Sequence, residues 1–177
     1  GELAVLTPDS GGSVGFASST LSVGDHALVA RVEDPDGLFR ELRHVLTVNG
    51  LPTAPSIQIE PISPQTNDTL KATIVTDSVD PEGSPVTYRW AWYRDGTLST
   101  SHTTSSVSAT DTKKDETWRV VVTPNDGLGD GAFGEDSVLV VNTAPSITSV
   151  DVGPTNPTVN DTLTCASTGY SDPDGDT

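Results

Sequence analysis

Residues 116–127 read Glu-Thr-Trp-Arg-Val-Val-Val-Thr-Pro-Asn-Asp-Gly, an alternating run that ends in a turn sequence. Trp118, Val120 and Val122 share one face, because successive side chains of a strand point to opposite sides. Asn, Asp and Gly tolerate the backbone conformations of a tight turn. The equivalent slots near the start of the chain are also apolar: Leu28, Ala30 and Val32. The pattern predicts a strand with one face in a core, present twice.

Working outward from this strand, the chain repeats itself with a period of about 90 residues, which fixes boundaries independently of propensity. Three motifs recur at offsets of 90, 93 and 92 residues. They are Thr53-Ala54-Pro55-Ser56-Ile57 with Thr143-Ala144-Pro145-Ser146-Ile147, Asn67-Asp68-Thr69-Leu70 with Asn160-Asp161-Thr162-Leu163, and Asp80-Pro81-Glu82-Gly83 with Asp172-Pro173-Asp174-Gly175. The front of the chain, from Gly24-Asp25 to Asp36-Gly37, matches the second half of the same unit.

These matches predict three pieces. Residues 1–50 are the C-terminal half of one repeat, residues 51–142 a complete repeat, and residues 143–177 the N-terminal part of a third. A period of this length is the size of one small β-sandwich. We therefore expect an all-β chain of tandem immunoglobulin-like β-sandwich repeats of about 90 residues each.

Alternation inside the complete repeat predicts about seven short strands. They lie at residues 55–60, 68–76, 86–94, 116–123 and 134–141, with one or two weaker strands within about 96–108. In the strand at 86–94, Tyr88, Trp90 and Trp92 share one face. We expect that face in the core, with Trp90 and Trp118 buried between the two sheets.

Composition supports a folded and strongly acidic protein. Apolar residues make up 33% of the chain, with 16 Gly and 13 Pro, which favours short strands between many turns. The net charge of −16 repels phosphate backbones and anionic lipids, so we expect no nucleic-acid partner and no membrane insertion. Residues 1–8 lack the features of a signal peptide, which predicts a mature or internal segment. Cys165, the single cysteine, is expected to be a small buried residue in a strand.

Three motifs, taken in order, resemble the bacterial immunoglobulin-like repeats grouped with polycystic-kidney-disease-type and cadherin-like domains. They are Tyr88-Arg89-Trp90 before Asp95-Gly96, then Trp118-Arg119-Val120-Val121-Val122 leading into Asn125-Asp126-Gly127, then a strand ending Val141-Asn142-Thr143-Ala144-Pro145. The resemblance implies a module used in multiples on surface and secreted proteins, for spacing and adhesion. It also leaves room for a carbohydrate-binding or spacer module attached to a secreted hydrolase. A fold of this kind does not indicate a ligand.

Catalytic patterns are missing from the sequence, so we expect no enzyme. There is no Gly-x-Ser-x-Gly elbow, phosphate-binding glycine loop or Cys-x-x-Cys pair. His26, His44 and His102 have no evident partner and are expected on the surface. The expected function is a non-enzymatic structural or adhesive segment of an extracellular or cell-surface protein or filament. A surface glycan or a protein remains a candidate ligand.

The acidic turns are the one pattern with chemical content, and two readings stay open. Asp-Pro-Asp-Gly is a strong turn sequence, because Asp caps its own turn, Pro presets φ and Gly accepts positive φ. Calcium is the alternative, since it takes six to eight oxygen ligands and stiffens junctions in cadherin-like arrays. Asp80, Glu82 and Asp126 are expected to converge near residues 49–55. The remaining candidate calcium ligands are Asp34, Asp36, Asp172, Asp174 and Asp176.

Two further motifs each have a simple interpretation. Asn67-Asp68-Thr69 and Asn160-Asp161-Thr162 match the N-glycosylation pattern, but turn residues before a strand are the preferred reading. Tyr88, Trp90, Trp92 and Tyr93 would form a carbohydrate platform only if exposed. Alternation directs three of the four into the core, which leaves Tyr93 outside.

The incomplete repeats at either end predict partners. Neither residues 1–50 nor residues 143–177 has enough strands to cover its own apolar face. We expect additional polypeptide over Leu28, Ala30 and Val32, from neighbouring repeats of the same chain or of an identical chain. If the cover comes from the same chain, the 177 residues are a window on a longer protein. If it comes from an identical chain, the C-terminal segment of one molecule completes the N-terminal segment of the next.

Overall fold

A computed structural model describes residues 9–11, 13, 15 and 20–176. Within these residues the chain forms eleven β-strands and no helix, so the expected all-β class is confirmed. The chain divides into two compact units, residues 1–50 and residues 51–177. Much of the predicted half-repeat before residue 20 lies outside the described residues.

The first unit contains one antiparallel hairpin. β1 (Gly24–Glu33) pairs with β2 (Phe39–Val48) along its whole length. The predicted apolar slots share a face, but Ala30 and Val32 are exposed and Leu28 is half-buried within the chain. The coverage of this face by further polypeptide stays a prediction.

The second unit contains nine described strands. They are β3 (Ser56–Glu60), β4 (Leu70–Thr76), β5 (Thr87–Arg94), β6 (Thr97–Ser99), β7 (Ser106–Val107), β8 (Thr117–Asn125), β9 (Gly134–Leu139), β10 (Ser149–Gly153) and β11 (Thr164–Thr168). One sheet has the order β3-β4-β7, a second β6-β5-β8-β9, and β10 pairs with β11 alone. The bounds match the predicted strands to within about two residues, and the weak region 96–108 resolves into β6 and β7.

Local residues explain the tightest hairpin. β5 and β6 are joined by Asp95 and Gly96, whose φ angles are 49° and 79°. Two consecutive positive φ values define the turn that matches the twist of a two-residue hairpin, and Asp-Gly is among its preferred sequences. The turn holds Tyr93 opposite Leu98 and thereby sets the register of β6.

Side chains from both of the larger sheets form one core. The buried apolar residues are Ile59, Leu70, Ala72, Trp92, Val107, Trp118, Val120, Val122, Val138 and Val140. Trp92 and Trp118 meet edge to face with ring centroids 6.3 Å apart. The prediction that Tyr88, Trp90 and Trp92 face the core is therefore correct. The expected burial of Trp90 with Trp118 is wrong. Trp92 is the tryptophan that packs on Trp118, whereas Trp90 is half-buried at the border of the core.

The two sheets meet closely where β3 runs beside β9. The Asp136 carboxylate on β9 accepts a 2.7 Å hydrogen bond from the Ile59 backbone N–H on β3. A Cβ atom at Gly134 would lie 2.0 Å from the Pro55 carbonyl oxygen, so only glycine permits this approach. The edge of β3 is thus covered instead of being open to another strand.

Candidate functional site

The acidic turns share one hydrogen-bond arrangement. Asp80 Oδ1 accepts from the backbone N–H groups of Glu82 (3.1 Å) and Ser84 (2.8 Å). Asp34 Oδ1 does the same with Asp36 (3.0 Å) and Leu38 (2.9 Å), and Asp172 Oδ1 accepts from Asp174 at 2.9 Å. The first aspartate of each turn therefore caps it, as the turn interpretation predicts.

Two loops flank the segment that leads into β3. Thr53 N–H donates to Val79 O at 3.0 Å, and Val79 N–H donates to Thr53 Oγ1 at 2.9 Å, which holds the Asp80 loop against this segment. From the other loop, Ala132 N–H donates to Pro52 O at 3.3 Å. Both acidic loops therefore lie at one end of the second unit, beside residues 51–55.

The carboxylates at this end have different surroundings. Asp80 is only 5% exposed, and its Oδ2 atom is buried without a hydrogen-bond partner. Asp126 Oδ1 accepts from the N–H groups of Leu128 (2.8 Å) and Gly129 (2.7 Å). No three acidic, histidine or cysteine side chains among the described residues stand close enough together to hold a metal ion. Asp80, Glu82 and Asp126 thus border one segment without forming such a group.

The opposite end of residues 51–142 binds the last acidic turn, and we call this contact the C-terminal joint. Thr143 N–H donates to Asp174 Oδ2 at 2.6 Å. The Lys114 ammonium pairs with Asp176 Oδ2 and lies 3.4 Å from Asn142 Oδ1. Thr143 Oγ1 donates to the Thr66 carbonyl at 3.4 Å. The joint therefore consists of Thr66, Lys114, Asn142, Thr143, Asp174 and Asp176.

Electrostatics in the joint favour the charged forms of both partners. The pKa of Asp174 is lowered, first by the nearby Thr66 hydroxyl, with further contributions from Thr143 N–H and Lys114 against some opposing burial. The pKa of Lys114 is raised, chiefly by the contact with Asp176 and also by the charge of Asp174. Thr66 Oγ1 and Asp174 Oδ1 are both buried in the joint, where the Thr66 hydroxyl acts on the Asp174 carboxylate. The joint is thus an oxygen-rich site around one ammonium group.

His102 is not the surface residue that the sequence predicted. Its side chain is 14% exposed and meets the Trp118 ring edge to face at 5.3 Å. The ring lies between Ser99 Oγ, 2.7 Å from Nδ1, and Asp111 Oδ2, 3.1 Å from Nε2. With the carboxylate as acceptor, the network assigns the proton to Nε2, and Nδ1 accepts from the Ser99 hydroxyl.

These three residue types also form catalytic triads, but the surroundings favour a structural role. The depression beside Ser99 measures about 80 Å³ and is lined by Arg94, Thr97 and Leu98. Ligand pockets usually measure about 300–1,000 Å³. The network instead fastens the segment between β6 and β8 over Trp118. No sequence motif predicted this hydrogen-bond network, because irregular backbone separates its three residues.

The other histidines and the aromatic cluster lie closer to expectation. His44 is exposed, and the half-buried His26 has Nε2 2.6 Å from Ser22 O. Tyr93 lies on the outer face of its sheet, half-buried beneath Arg119, whose guanidinium carbon is 4.3 Å from the ring centroid. Arg119 in turn pairs with Glu135 at 2.6 Å. Tyr93 therefore offers only part of its ring to a sugar.

The two Asn-Asp-Thr motifs form the same turn. Gln65 N–H donates to Asp68 Oδ2 at 2.8 Å, and Asp68 N–H donates back to Gln65 O at 3.0 Å. In the later copy Thr158 N–H donates to Asp161 Oδ2 at 2.6 Å, and Asp161 N–H to Thr158 O at 3.1 Å. Hydrogen bonds from Thr158 lower the pKa of Asp161. These motifs are turns ahead of a strand, in agreement with the preferred reading.

No protein-family model matches this chain, and a search of curated proteins returns no match. In the part of the chain that the structure describes, no helix is long and apolar enough to cross a membrane. The family resemblance and the function therefore depend on the residues themselves.

Proposed function

We propose that this chain is a non-enzymatic spacing or adhesive segment of an extracellular protein built from immunoglobulin-like β-sandwich repeats, of the kind related to polycystic-kidney-disease-type and cadherin-like domains. One observation carries the proposal. The turn that begins at Asp172 contacts the end of residues 51–142 through the ion pair between Lys114 and Asp176, and the same turn recurs in sequence at Asp80. A body that receives the turn of the next segment is suited to serial connection.

The core supports the sandwich interpretation. A three-stranded and a four-stranded sheet bury one set of apolar side chains, and Trp92 and Trp118 fill the space between them. The described pocket beside Ser99 is too small for most ligands. A body whose two sheets share one buried core suits a load-bearing element.

Stretching single molecules of the full chain tests the proposal. A spacer repeat should resist force and then unfold in one step that releases about 300 Å of chain, the extended length of residues 51–142. Trp92→Ala should abolish this step, because it removes a fully buried ring from the core between the sheets. Continuous extension of the unaltered chain at low force would contradict a load-bearing role.

Calcium at the end that includes residues 51–55 belongs to the same proposal. The unpartnered, buried Asp80 Oδ2 supports it, because a cation would satisfy that oxygen, with Glu82 and Asp126 as further ligands. Calcium should then raise the melting temperature, and Asp126→Asn should abolish the rise. Magnesium should substitute poorly, because it demands six ligands at shorter distances. Calorimetry without binding heat at millimolar calcium would leave only the turn role.

A carbohydrate-binding accessory module of a secreted hydrolase is the rival function, and Tyr93 is the residue that bears on it. Its ring faces outward beside Arg119 and Glu135, which is a small polar and aromatic surface. Glycan-array binding by the chain that disappears in Tyr93→Ala would favour this function. Unchanged binding in that variant would exclude Tyr93 as its platform.

A further inference from the structure

We infer that residues 51–142 carry a shear clamp, a set of hydrogen bonds between the entering segment (residues 52–65) and the leaving segment (residues 132–141) that sets the force at which this repeat unfolds. The inference rests on the proposed force-resisting function and names the contacts that would resist the force. Its basis is the parallel course of the two segments.

Hydrogen bonds join the entering and leaving segments in the same order along both. With the donor first, they run from Ala132 N–H to Pro52 O (3.3 Å), from Ile59 N–H to Asp136 Oδ2 (2.7 Å) and from Val141 N–H to Pro64 O (2.7 Å). Next to the last of these, Gln65 and Val141 form a parallel β-bridge. Residue numbers therefore rise together along the contact, so the two segments lie parallel from its first bond to its last.

The parallel course decides how tension reaches these bonds. Tension along the chain pulls the entering segment at its N-terminal end and the leaving segment at its C-terminal end. In a parallel pair these ends are opposite, so tension slides one segment along the other and loads all the bonds together. In an antiparallel hairpin such as β5–β6, force applied at the two adjoining ends would open the bonds one after another.

Asp136 supplies the central bond of the clamp with its side chain. It lies opposite Val120 in the β8–β9 pair, and its half-buried carboxylate reaches the backbone of β3. Oδ2 accepts from Ile59 N–H, and Oδ1 accepts from Ser137 N–H at 2.8 Å, so both oxygen atoms are engaged. A hydrogen bond to a carboxylate is stronger than one between neutral groups. Asp136 therefore contributes the largest single share of the clamp.

The clamp and the core should respond differently to force. A hydrogen bond loses its geometry when its atoms slide by about 1 Å, whereas packed apolar side chains keep most of their burial over the same distance. The clamp should then break before the unfolding barrier and the core after it. A substitution speeds unfolding only through contacts that are already lost at the barrier, so the clamp residues should control the unfolding rate.

The test holds single molecules of the full chain at constant force and measures how long residues 51–142 stay folded. Asp136→Ala removes the central bond, and Asp136→Asn keeps an oxygen acceptor without the charge. Leu70→Ala is the control for general loss of stability, because Leu70 is fully buried and lies outside the clamp. Val141→Pro removes the N–H that donates to Pro64, and its matched control is Val159→Pro, at a 98% exposed position. Tryptophan emission verifies that each variant is folded.

We expect Asp136→Ala to unfold roughly 10–100-fold faster than the unaltered chain at the same force, the factor that corresponds to one hydrogen bond to a charged group. Asp136→Asn should fall between the two. Val141→Pro should unfold about 2–10-fold faster, because it loses a bond between neutral groups. Leu70→Ala and Val159→Pro should stay within about threefold of the unaltered chain, although Leu70→Ala weakens the fold in denaturant.

Two outcomes would overturn the inference, and they are distinguishable. A clear unfolding step with the same lifetime in Asp136→Ala as in Leu70→Ala would overturn the clamp and leave the force-resisting function in place. Extension of the unaltered chain at low force without a step would overturn the clamp and that function together.

Discussion

The hairpins β3–β4 and β10–β11 are built from matching sequence but differ completely in burial. In both, the capped Asn-Asp-Thr turn lies between two antiparallel strands, with Ile59 opposite Ala72 in the first hairpin and Val152 opposite Cys165 in the second. In the first hairpin Ile59 and Ala72 are at most 2% exposed. In the second, Val152 is 57% exposed. Cys165 lies in a strand as expected, but its expected burial is wrong, because no second sheet covers β11 among the described residues and the side chain is exposed.

The difference shows which properties of the fold are local. Turn chemistry and strand pairing come from residues close in sequence, so both hairpins form. Burial comes from an opposing sheet, which β5, β8 and β9 supply to β3–β4. Val150, Val152, Leu163 and Cys165 share one apolar face of the second hairpin. That apolar face is exposed, because no second sheet packs on it among the described residues.

The largest expected loss of stability follows a substitution in β5, a strand of the sheet that covers β3–β4. Trp92→Ala should lower the free energy of unfolding by about 3–5 kcal/mol, because it leaves a cavity against Trp118. Trp90→Ala should cost clearly less, since Trp90 is half-buried at the core border. Denaturant titrations of the full chain followed by tryptophan fluorescence measure both values. Equal losses would mean that the two rings share the core equally.

Substitutions at two equivalent leucines compare how much each hairpin contributes to stability. Leu70→Ala should cost about 2–5 kcal/mol, because Leu70 is fully buried. Leu163→Ala, its equivalent in the second hairpin, should stay within about 0.5 kcal/mol because Leu163 is 60% exposed. The same denaturant titration checks both variants. A large loss for Leu163→Ala would show that the second hairpin is already covered in solution.

The smallest expected effect concerns the pH range of the C-terminal joint. The Asp174 pKa lies below its ordinary value, so the stability from Asp174 is present above that value and is lost as pH falls through the folded pKa. The Lys114 pKa is raised, so its contribution is present below about 10.4 and is lost as pH rises through the folded pKa. The Thr143 amide resonance should report the acid transition with a midpoint below 3.8. Asp174→Asn should remove that transition, and a midpoint above 3.8 would contradict the contact.

The sequence predicted the features that depend on near neighbours. Strand positions and the capped acidic turns follow from alternation and from the conformations of Asp, Pro and Gly. Features that depend on contacts between distant segments could not be predicted from the sequence. Alternation placed Trp90 and Trp92 on one face but could not decide which one meets Trp118, because the register of β5 against β8 decides that. Arg94 lies opposite Trp118, which makes Trp92 the diagonal neighbour of Trp118.

The candidate sites show the same division. His102 looked isolated because Asp111, nine residues away, approaches only when the intervening loop folds back. Lys114 carried no motif, and its partner Asp176 lies 62 residues further along the chain. The acidic turns were found from sequence because each one is a local structure. Their surroundings, including the orphaned Asp80 oxygen, required the folded chain.

The most direct test of the account asks whether the second hairpin accepts the sheet that it lacks. A second copy of residues 84–142 joined after Thr177 would supply the strands that cover β3–β4 in the complete repeat. Cys165, equivalent to the buried Ala72, then reports coverage through its reaction with a thiol reagent under native conditions. The account predicts rapid reaction in the original chain and strong protection in the extended one, with the added tryptophans buried by fluorescence. Cys165 that reacts equally fast in both chains while the added tryptophans are buried would contradict it.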